Sequence, residues 1–303
     1  MKILMAFILD IVFGDPEWLP HPVVMMGKWI HMTYRRLLSA PKHRQKSWGI
    51  VVALGNTAAV FLVTSWVLRA LPYALSTIVA TYILYTSLAS KTLHVEAKAV
   101  KDKLLISPEE GRRQLSRIVG RETDRLSPRE IICATVETVS ENTSDGIIAP
   151  LFYAMLFGPA GAFAYKMINT MDSMVGYNNE TYREAGYGAA KLDDVANYIP
   201  ARITALLFCL TAEPKVARRS LKTVRRFHGA HLSPNAGWPE SAAAGILGIQ
   251  LGGGHYYFGQ FVEKPPIGEA LREPEPEDID RICRAMWKVA AIDVALFEVI
   301  GLL

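Results

Sequence analysis

The sequence of 303 residues is poor in charge and in cysteine. Only 20% of its residues are charged, against about a quarter in a typical soluble protein. Its three cysteines, Cys133, Cys209 and Cys283, are far apart and lack metal-ligand spacing. This scarcity argues against a disulfide framework and against a zinc site.

Several catalytic and nucleotide-binding motifs are also absent. Neither G-x-G-x-x-G nor G-x-x-x-x-G-K-[ST] occurs, so the chain has no familiar nucleotide loop. It contains no G-x-S-x-G serine nucleophile and no H-E-x-x-H zinc site. The net charge is a modest +4, and the basic residues lie in short clusters beside apolar runs. A nucleic-acid binder would more often show one basic face with interleaved aromatic residues, so we predict no nucleic-acid partner.

Long apolar runs dominate instead. Half of the residues are hydrophobic, and residues 48–68 and 70–90 each contain no charge over 21 positions. About 20 apolar residues suffice to cross the hydrocarbon core of a bilayer, and only Arg69 separates the two runs, which predicts a tight helical hairpin. Basic residues cluster at 42–46 and at 91–103, which predicts that both ends of the hairpin face the cytoplasm.

The later apolar runs are interrupted. Prolines and glycines break residues 146–165, Arg202 lies within 199–212, and glycines interrupt 241–262. Such segments are tolerated at membrane depth where they line protein or a water-filled cavity. We therefore predict an all-α, polytopic integral membrane protein with one domain over residues 1–303. Its hairpin would be accompanied by several broken or re-entrant helices around a site that opens to the cytoplasm.

Local signals predict some boundaries. Residues 1–13 are expected to be retained, because Asp10 interrupts their apolar run and no small-residue cleavage site follows. A cytoplasmic helical segment is predicted over about 91–145, with helix starts at the Ser-Pro pairs of 107–108 and 127–128. The stretch 263–280, rich in proline and acid, predicts a surface loop, with a last helix from about Arg284.

A cluster of acids opens the apolar stretch that begins at residue 146. Glu137, Glu141, Ser144 and Asp145 share one face of a helix. A solvated or capped helix end is the ordinary explanation. However, carboxylates at an apolar boundary are costly unless they hold a cation or pair with a basic residue. Magnesium suits such oxygen ligands, particularly when substrate phosphates complete its coordination shell.

Two further clusters follow. Lys166, Asn169 and Asp172 lie on one helical stripe, while the intervening methionines are expected in the core. Asp193 and Asp194 are able to bind a metal or a substrate amine; the alternative is a helix N-terminus, which favours negative charge.

Three more groups of residues complete the candidates. Arg202 lies among apolar residues and needs a carboxylate or an anionic ligand as a partner. The loops around Asp15–His21 and around Asn235 resemble binding loops, although turn chemistry alone would explain each of them.

Five long motifs in one order carry a resemblance to a known family. They are GDPEWLPHPVVMMGKWI, VETVSENTSDGIIAPLFYA, KMINTMDSMVGY, KLDDVANYIPARIT and HLSPNAGWPESAAAGILGIQLGG. Together they resemble the CobD/CbiB family, the membrane-bound adenosylcobinamide-phosphate synthases of cobalamin biosynthesis, over residues 9–259. The resemblance implies ATP-dependent amide formation assisted by magnesium. The free propionate carboxylate of adenosylcobyric acid, a corrinoid, would be joined to aminopropanol or its O-phosphate.

On this basis we assign hypothetical roles. Lys166 and Arg202 would neutralise phosphate or the substrate carboxylate, and Asp194 would orient the attacking amine or accept its proton. The candidate magnesium ligands are Glu137, Glu141, Asp145, Asp172 and Asp193. The candidate residues for binding ATP or the corrinoid are Asn142, Asn169, Asn235, Asp15 and His21. The aromatic residues Trp18, Tyr177, Tyr198 and Trp238 would line a corrin cleft or belong to an interfacial belt.

Two other functions stay open on the sequence alone. A regulatory relative would keep the apolar frame and lose the acids, and the acids are present here. A transporter for a corrinoid or another anion would also place polar residues in broken helices. For the enzyme we expect a location in the inner cell membrane, contact with lipids and an active site facing the cytoplasm. The oligomeric state is open, and a homo-oligomer is one alternative.

Overall fold

The computed structural model describes residues 1–16, 18–177, 179–257, 260–263 and 265–300, which are helical almost throughout. The predicted all-α class is confirmed. The helices are α1 (Lys2–Phe13), α2 (Pro22–Leu38), α3 (Lys42–Ala70), α4 (Tyr73–Ser87), α5 (Ser90–Leu104), α6 (Pro108–Leu115), α7 (Pro128–Thr143), α8 (Ala149–Val175), α9 (Tyr187–Ala196), α10 (Tyr198–Leu210), α11 (Pro214–Phe227), α12 (Gly237–Leu247) and α13 (Glu277–Ile300).

Short non-α elements interrupt this order. A π-helical turn over Ser144–Ile148 joins α7 to α8, and a 3₁₀ turn over His228–Ala230 follows α11. Four strands of two or three residues form two antiparallel ladders: β1 (Leu251–Gly252) with β4 (Pro266–Ile267), and β2 (His255–Tyr257) with β3 (Gln260–Val262). The glycine-rich run predicted as a broken helix therefore ends as small hairpin structure after α12.

The contacts of the chain group it into two compact units. The first unit comprises Met1–Ala89, Ala149–Tyr198 and Leu296–Leu303, and the second comprises Ser90–Ile148 and Ile199–Ala295. In the first, α8 packs on α2, α3, α4 and α9; in the second, α12 packs on α7 and α11. The single domain over residues 1–303 stays a prediction.

Within the part of the chain that the structure describes, three helical stretches are long and apolar enough to cross a membrane: Lys42–Ala70, Tyr73–Leu104 and Pro128–Val175. The first two contain the predicted hairpin. Leu71 and Pro72 form its turn, and the Ser76 hydroxyl donates to the Leu68 carbonyl at 2.7 Å. Both runs end where predicted to within a few residues, but the second continues into α5 and so extends into the segment expected to be cytoplasmic.

The third stretch contains residues 146–165, for which the sequence predicts a broken helix, and they lie inside Pro128–Val175. The stretch is interrupted by the π-helical turn, and Pro150 lies at the start of α8 directly after this turn. Gly158, at φ 67°, and Pro159 kink the helix without ending it.

Helix capping explains two boundaries that the sequence predicts and one that it misses. Ser107 accepts from the backbone N–H of Glu110, and Ser127 forms a capping box with Glu130, so both predicted helix starts are confirmed. The last helix begins at Glu277, seven residues before the predicted Arg284. Acids in its first turn favour this earlier start through the helix dipole.

Methionines and one asparagine shape the core of the first unit. Met167 and Met171 are buried, as predicted, among residues of α2, α3 and α9. Asn56 of α3 is buried beside them and accepts from the indole N–H of Trp29 at 2.9 Å. Its amide donates to the Thr33 hydroxyl at 3.2 Å. Polar groups in apolar cores cost free energy unless they are paired, and this asparagine is paired on both sides.

Asp293 of α13 gives a testable pH dependence of stability. It is 2% exposed, and burial raises the pKa of its carboxyl to about 7. The unfolded chain ionises this carboxyl near its ordinary value of about 3.9, so the folded state binds the extra proton between these values. The contribution of Asp293 to the free energy of unfolding should therefore be complete below pH 4. It should decrease by up to about 1.4 kcal/mol per pH unit as the pH rises toward 7.

Thermal unfolding in detergent at pH 4.5 to 8 would measure this effect. In Asp293→Asn, stability should decrease less between pH 4.5 and 7 than in the parent. Asp124→Asn, a change at an exposed position, should show the same decrease as the parent. Parallel pH profiles for the parent and Asp293→Asn would contradict the prediction.

Candidate functional site

A carboxylate cluster in the first unit is built from α8 and α9. Asp193 lies on α9 and Asp172 on α8, and both are half-buried. The side-chain amide of Asn197, the C-cap residue of α9, donates to Asp193 Oδ2 at 2.9 Å. The hydroxyl of Tyr165 in turn donates to Asn197 Oδ1 at 2.8 Å. A buried hydrogen-bond chain therefore fixes the orientation of the Asp193 carboxylate.

The electrostatics of this cluster are unfavourable to a second negative charge. Burial, and next the negative charge of Asp172, raise the pKa of Asp193 to about 7, although hydrogen bonds from Asn197 and Asn169 lower it. Burial and the same Asp172 charge raise the pKa of Tyr34 to about 12. Carboxylates in excess of nearby positive charge favour a bound cation.

The position of Asp193 and Asp194 in their helix removes the ordinary explanation for them. They lie in the last turns of α9, which spans Tyr187–Ala196, and not at a helix N-terminus. The negative end of the helix dipole makes carboxylates there less stable. The helix dipole therefore does not account for these two aspartates, which are held by Lys191 and by Asn197.

Two glycines make room for this arrangement. A Cβ at position 176 would lie 2.0 Å from Asp172 Oδ1 and 2.7 Å from the Asp172 carbonyl oxygen. A Cβ at position 188 on α9 would lie 2.6 Å from the Ile50 Cα of α3. Gly188 thus lets α9 pack closely on α3, and Gly176 leaves space for the carboxylate of Asp172.

The remaining candidates of the first unit have identifiable neighbours. Asp194 accepts from Lys191 Nζ at 2.7 Å. Lys166 is half-buried on α8, one turn before Asn169 on the predicted stripe. His21 Nε2 lies 3.2 Å from Asp15 Oδ1, so the two members of the first loop are in contact.

In the second unit, Glu137 is held by the protein on both oxygens. Arg121 Nη2 donates to Oε2 at 2.5 Å, and the Gly252 N–H donates to Oε1 at 2.8 Å. Both side chains of the ion pair are nearly inaccessible to solvent, at 9% and 6% exposure. Glu137 therefore ties α7 to strand β1 and to the Arg121 loop, which is a structural task that the sequence did not reveal.

The other acids of this stretch surround the π-helical turn. Glu141 and Asp145 are partly exposed, whereas the Ser144 hydroxyl is buried and makes no hydrogen bond within the described residues. Asn142 donates to the Thr138 carbonyl at 3.0 Å. π-Turns often occur at functional sites, because the extra residue changes which side chains share a face.

An aromatic cluster surrounds Arg202. Its guanidinium lies 4.4 Å from the ring centroid of Trp238, a cation–π contact, and His228 stacks on Trp238 at 4.1 Å. His231 Nε2 lies 3.8 Å from the carboxylate of Glu240, which is 3% exposed. The partner that Arg202 was predicted to need therefore includes an aromatic face.

The remaining member of the predicted second loop is Asn235. It is buried just before α12, which begins at Gly237, and it is three residues before Trp238 of the aromatic cluster.

The predicted magnesium ligands are distributed over both units. Asp172 and Asp193 belong to the first unit, and Glu137, Glu141 and Asp145 belong to the second. Among the described residues, no three His, Cys, Asp or Glu side chains converge as a metal-binding group. Magnesium is commonly held by one or two carboxylates together with substrate phosphates, and the pair Asp172–Asp193 fits that requirement.

Sequence reasoning missed three residues of these clusters. Asn197 lies four positions after Asp193, a helical spacing that was visible in the sequence but was given no role. Tyr165 also begins the stripe that continues at Asn169. Arg121 has no local signal, since its contact with Glu137 joins residues of a loop and a helix.

These features define an all-α membrane protein with buried polar clusters. The family model described as "CobD/Cbib protein" matches residues 3–286. The chain belongs to the CobD/CbiB family.

Curated relatives cover nearly all of the chain. "Cobalamin biosynthesis protein CobD" of Klebsiella pneumoniae is 44% identical over 304 residues, 96% of this chain and 94% of the relative. The protein of the same name from Geobacter metallireducens is 46% identical over 283 residues, 89% and 86% of the two chains. "Cobalamin biosynthesis protein CbiB" of Salmonella typhi is 42% identical over 306 residues, 96% and 94%. No solved structure matches.

The buried pair Arg121–Glu137 gives a stability prediction. Arg121→Gln leaves a buried carboxylate without its charge partner, which typically costs roughly 3–5 kcal/mol. Thermal unfolding in detergent should show a large decrease in Tm. Arg129→Gln breaks an exposed pair with Glu273 and should cost about 1 kcal/mol or less. Equal shifts for the two variants would contradict the structural role of Glu137.

Proposed function

We propose that the protein acts in cobalamin biosynthesis as an ATP-dependent amide ligase. It joins the free propionate carboxylate of adenosylcobyric acid to aminopropanol or its O-phosphate and yields adenosylcobinamide or its phosphate. The names of the relatives support the pathway, and the match over residues 3–286 extends that support to nearly the whole chain. The chemistry of the ligation is what the resemblance to the CobD/CbiB family implies, and the acidic motifs are compatible with it.

The observation that carries the proposal is the pair Asp172–Asp193. Two carboxylates are contributed by α8 and α9, and burial, followed by the charge of Asp172, raises the pKa of Asp193 to about 7. Perturbed carboxylates in such a cluster are typical of functional sites. A reaction between ATP and a carboxylate brings further negative charge, which requires cations at the point of transfer.

The reaction divides into two balanced steps. The propionate carboxylate attacks the γ-phosphate of ATP, giving an acyl phosphate and ADP. The amine then attacks the acyl carbon, and the amide forms with loss of phosphate and one proton. In-line phosphoryl transfer depends mainly on positioning and on the neutralisation of charge.

Asp172 and Asp193 are the residues that would hold magnesium. When bound, the ion supplies neutralisation of the phosphate oxygens. Asn197 and Tyr165 keep the Asp193 carboxylate oriented through their hydrogen-bond chain. The roles of Glu137, Glu141 and Asp145 as ligands stay predictions, and for Glu137 the ion pair with Arg121 is a competing role.

The other assigned residues serve substrate binding. Lys166 and Arg202 would neutralise phosphate or the propionate, and Asp194 would orient the amine or accept its proton. Hydrogen bonds to phosphate or to the corrin amides would come from Asn142, Asn169 and Asn235. Asp15 and His21 would contribute as a contacting pair.

Aromatic residues would contact the apolar face of the corrin. Trp18 and Tyr198 are 75% and 54% exposed, so their rings are accessible to a ligand or to lipid. The ring of Trp238 is instead in contact with the Arg202 guanidinium and stacks with the His228 ring. A cleft wall and an interfacial belt both need such exposed rings.

We further propose a location in the cell membrane with the active site facing the cytoplasm. The three apolar stretches support membrane insertion, and the basic clusters beside the hairpin support the orientation. The partners are then the corrinoid, the amine and lipid, and the oligomeric state stays open. No feature of the described residues favours transport or regulation over ligation.

The reaction itself is the first test. Purified protein in detergent is given magnesium ATP, adenosylcobyric acid and either amine, and mass spectrometry follows the corrinoid while ADP is counted. The proposal requires a product of amide mass with one ADP per product, and ADP release that depends on both organic substrates. Folded protein that makes no product with either amine would overturn it.

Loss of either aspartate should impair the reaction. Asp172→Asn and Asp193→Asn should each lower kcat by roughly 100-fold or more and raise the magnesium concentration needed for half-maximal rate, because one ligand charge is lost. Glu184→Gln removes one exposed charge from the same unit and is the matched control. Full turnover with an unchanged magnesium requirement would exclude the cation role.

Membrane orientation can be read by cysteine labelling. The native cysteines are buried, so labelling of the parent should be low. Thr181→Cys and Leu232→Cys, at exposed positions in the first and second unit, should react with an impermeant maleimide only in inside-out vesicles. Reaction of either residue only from the outer face would refute the orientation.

A further inference from the structure

A cavity of about 530 Å³ lies in the second unit, and its lining includes none of the residues assigned above. The turn between α10 and α11, the end of α12, the loop before α13 and the first turns of α13 line it. Its charged lining residues are Arg272, Arg281, Arg284, Lys288, Glu213 and Glu275. Its volume is in the range of small-molecule sites, which are roughly 300–1,000 Å³.

Two of its arginines are fixed by a buried acid. Asp278 is fully buried; Arg272 Nη1 donates to its Oδ2 at 2.8 Å, and Arg281 Nη1 donates to its Oδ1 at 2.8 Å. The N–H of Glu275 donates to the same carboxylate at 3.0 Å. Burial raises the pKa of Asp278, but these hydrogen bonds outweigh burial and hold the pKa below its ordinary value. Asp278 is therefore ionised at neutral pH and holds both guanidinium groups in the cavity wall.

The other two cations have no ion-pair partner among the described residues. Arg284 and Lys288 continue the face of α13 that begins at Arg281, with spacings of three and seven residues. Both are exposed, and within the described residues neither makes an ion pair or a hydrogen bond. Their charge is thus available to a ligand, whereas Arg272 and Arg281 are pre-positioned but keep further N–H donors.

The balance of charge points to an anion. Four cations face two carboxylates in the lining, an excess of two, and one positive charge remains when Asp278 behind the wall is counted. Arginine forks match phosphate oxygens in two-point contacts, and cations distributed along about two helical turns suit phosphate groups better than a single carboxylate.

We propose that this cavity is a binding site for an anionic, phosphate-bearing molecule. Soluble di- and triphosphates and the headgroups of anionic lipids both carry this chemistry. The proposal does not depend on the ligase reaction, since binding can be measured without turnover.

The test uses calorimetric titration of inorganic pyrophosphate into detergent-solubilised full-length protein without magnesium. The variant Arg284→Gln/Lys288→Gln should bind at least about tenfold more weakly, because the two available cations are lost. Arg218→Gln/Lys222→Gln removes the same charge from exposed positions of α11 outside the cavity lining and should change affinity less than about twofold. Lys288→Gln alone should give an intermediate loss.

Equal weakening in the cavity variant and the α11 variant would overturn the proposal, because binding would then follow net charge alone. Absence of pyrophosphate binding by the parent at about 10 mM would overturn it as well. Nanodiscs distinguish the source of the phosphate. Binding retained in anionic phosphatidylglycerol discs assigns the site to soluble phosphates, and binding retained only in phosphatidylcholine discs assigns it to lipid headgroups.

Discussion

Polar groups inside an apolar helical frame must find partners within the protein, and the structure depends on this constraint. Water and lipid cannot supply those partners at low free-energy cost. Asn56 meets it through Trp29 and Thr33, and Glu137 meets it through Arg121 and a strand N–H. Each unit therefore obtains part of its packing geometry from a few buried hydrogen bonds in addition to apolar contact.

Asp193 is informative because it satisfies this constraint only in part. Its hydrogen bond from Asn197 orients the carboxylate, but burial and the nearby charge of Asp172 still raise its pKa. Glu137 is instead held on both oxygens, by Arg121 and by the Gly252 N–H. The two acids are candidates for the same role by sequence, and their surroundings differ.

Much of the fold was predictable because its signals are local. Charge-free runs revealed the hairpin, and serine before proline revealed the starts of α6 and α7. The breaks in the third apolar stretch were also signalled locally, by the glycine and proline that kink α8. The candidate site was found as motifs, but the partners of its members were not. Arg121–Glu137 joins segments 16 residues apart through a loop, and no periodicity reports such a contact.

Gly176 has no reactive group, yet the position of the Asp172 carboxylate depends on it. Any side chain there would begin within 2.0 Å of that carboxylate oxygen and displace it. The geometry of this site thus depends partly on a residue that has no reactive side chain. Comparisons that rank positions by reactivity alone would pass over Gly176. A single methyl group at this position would nevertheless displace the Asp172 carboxylate.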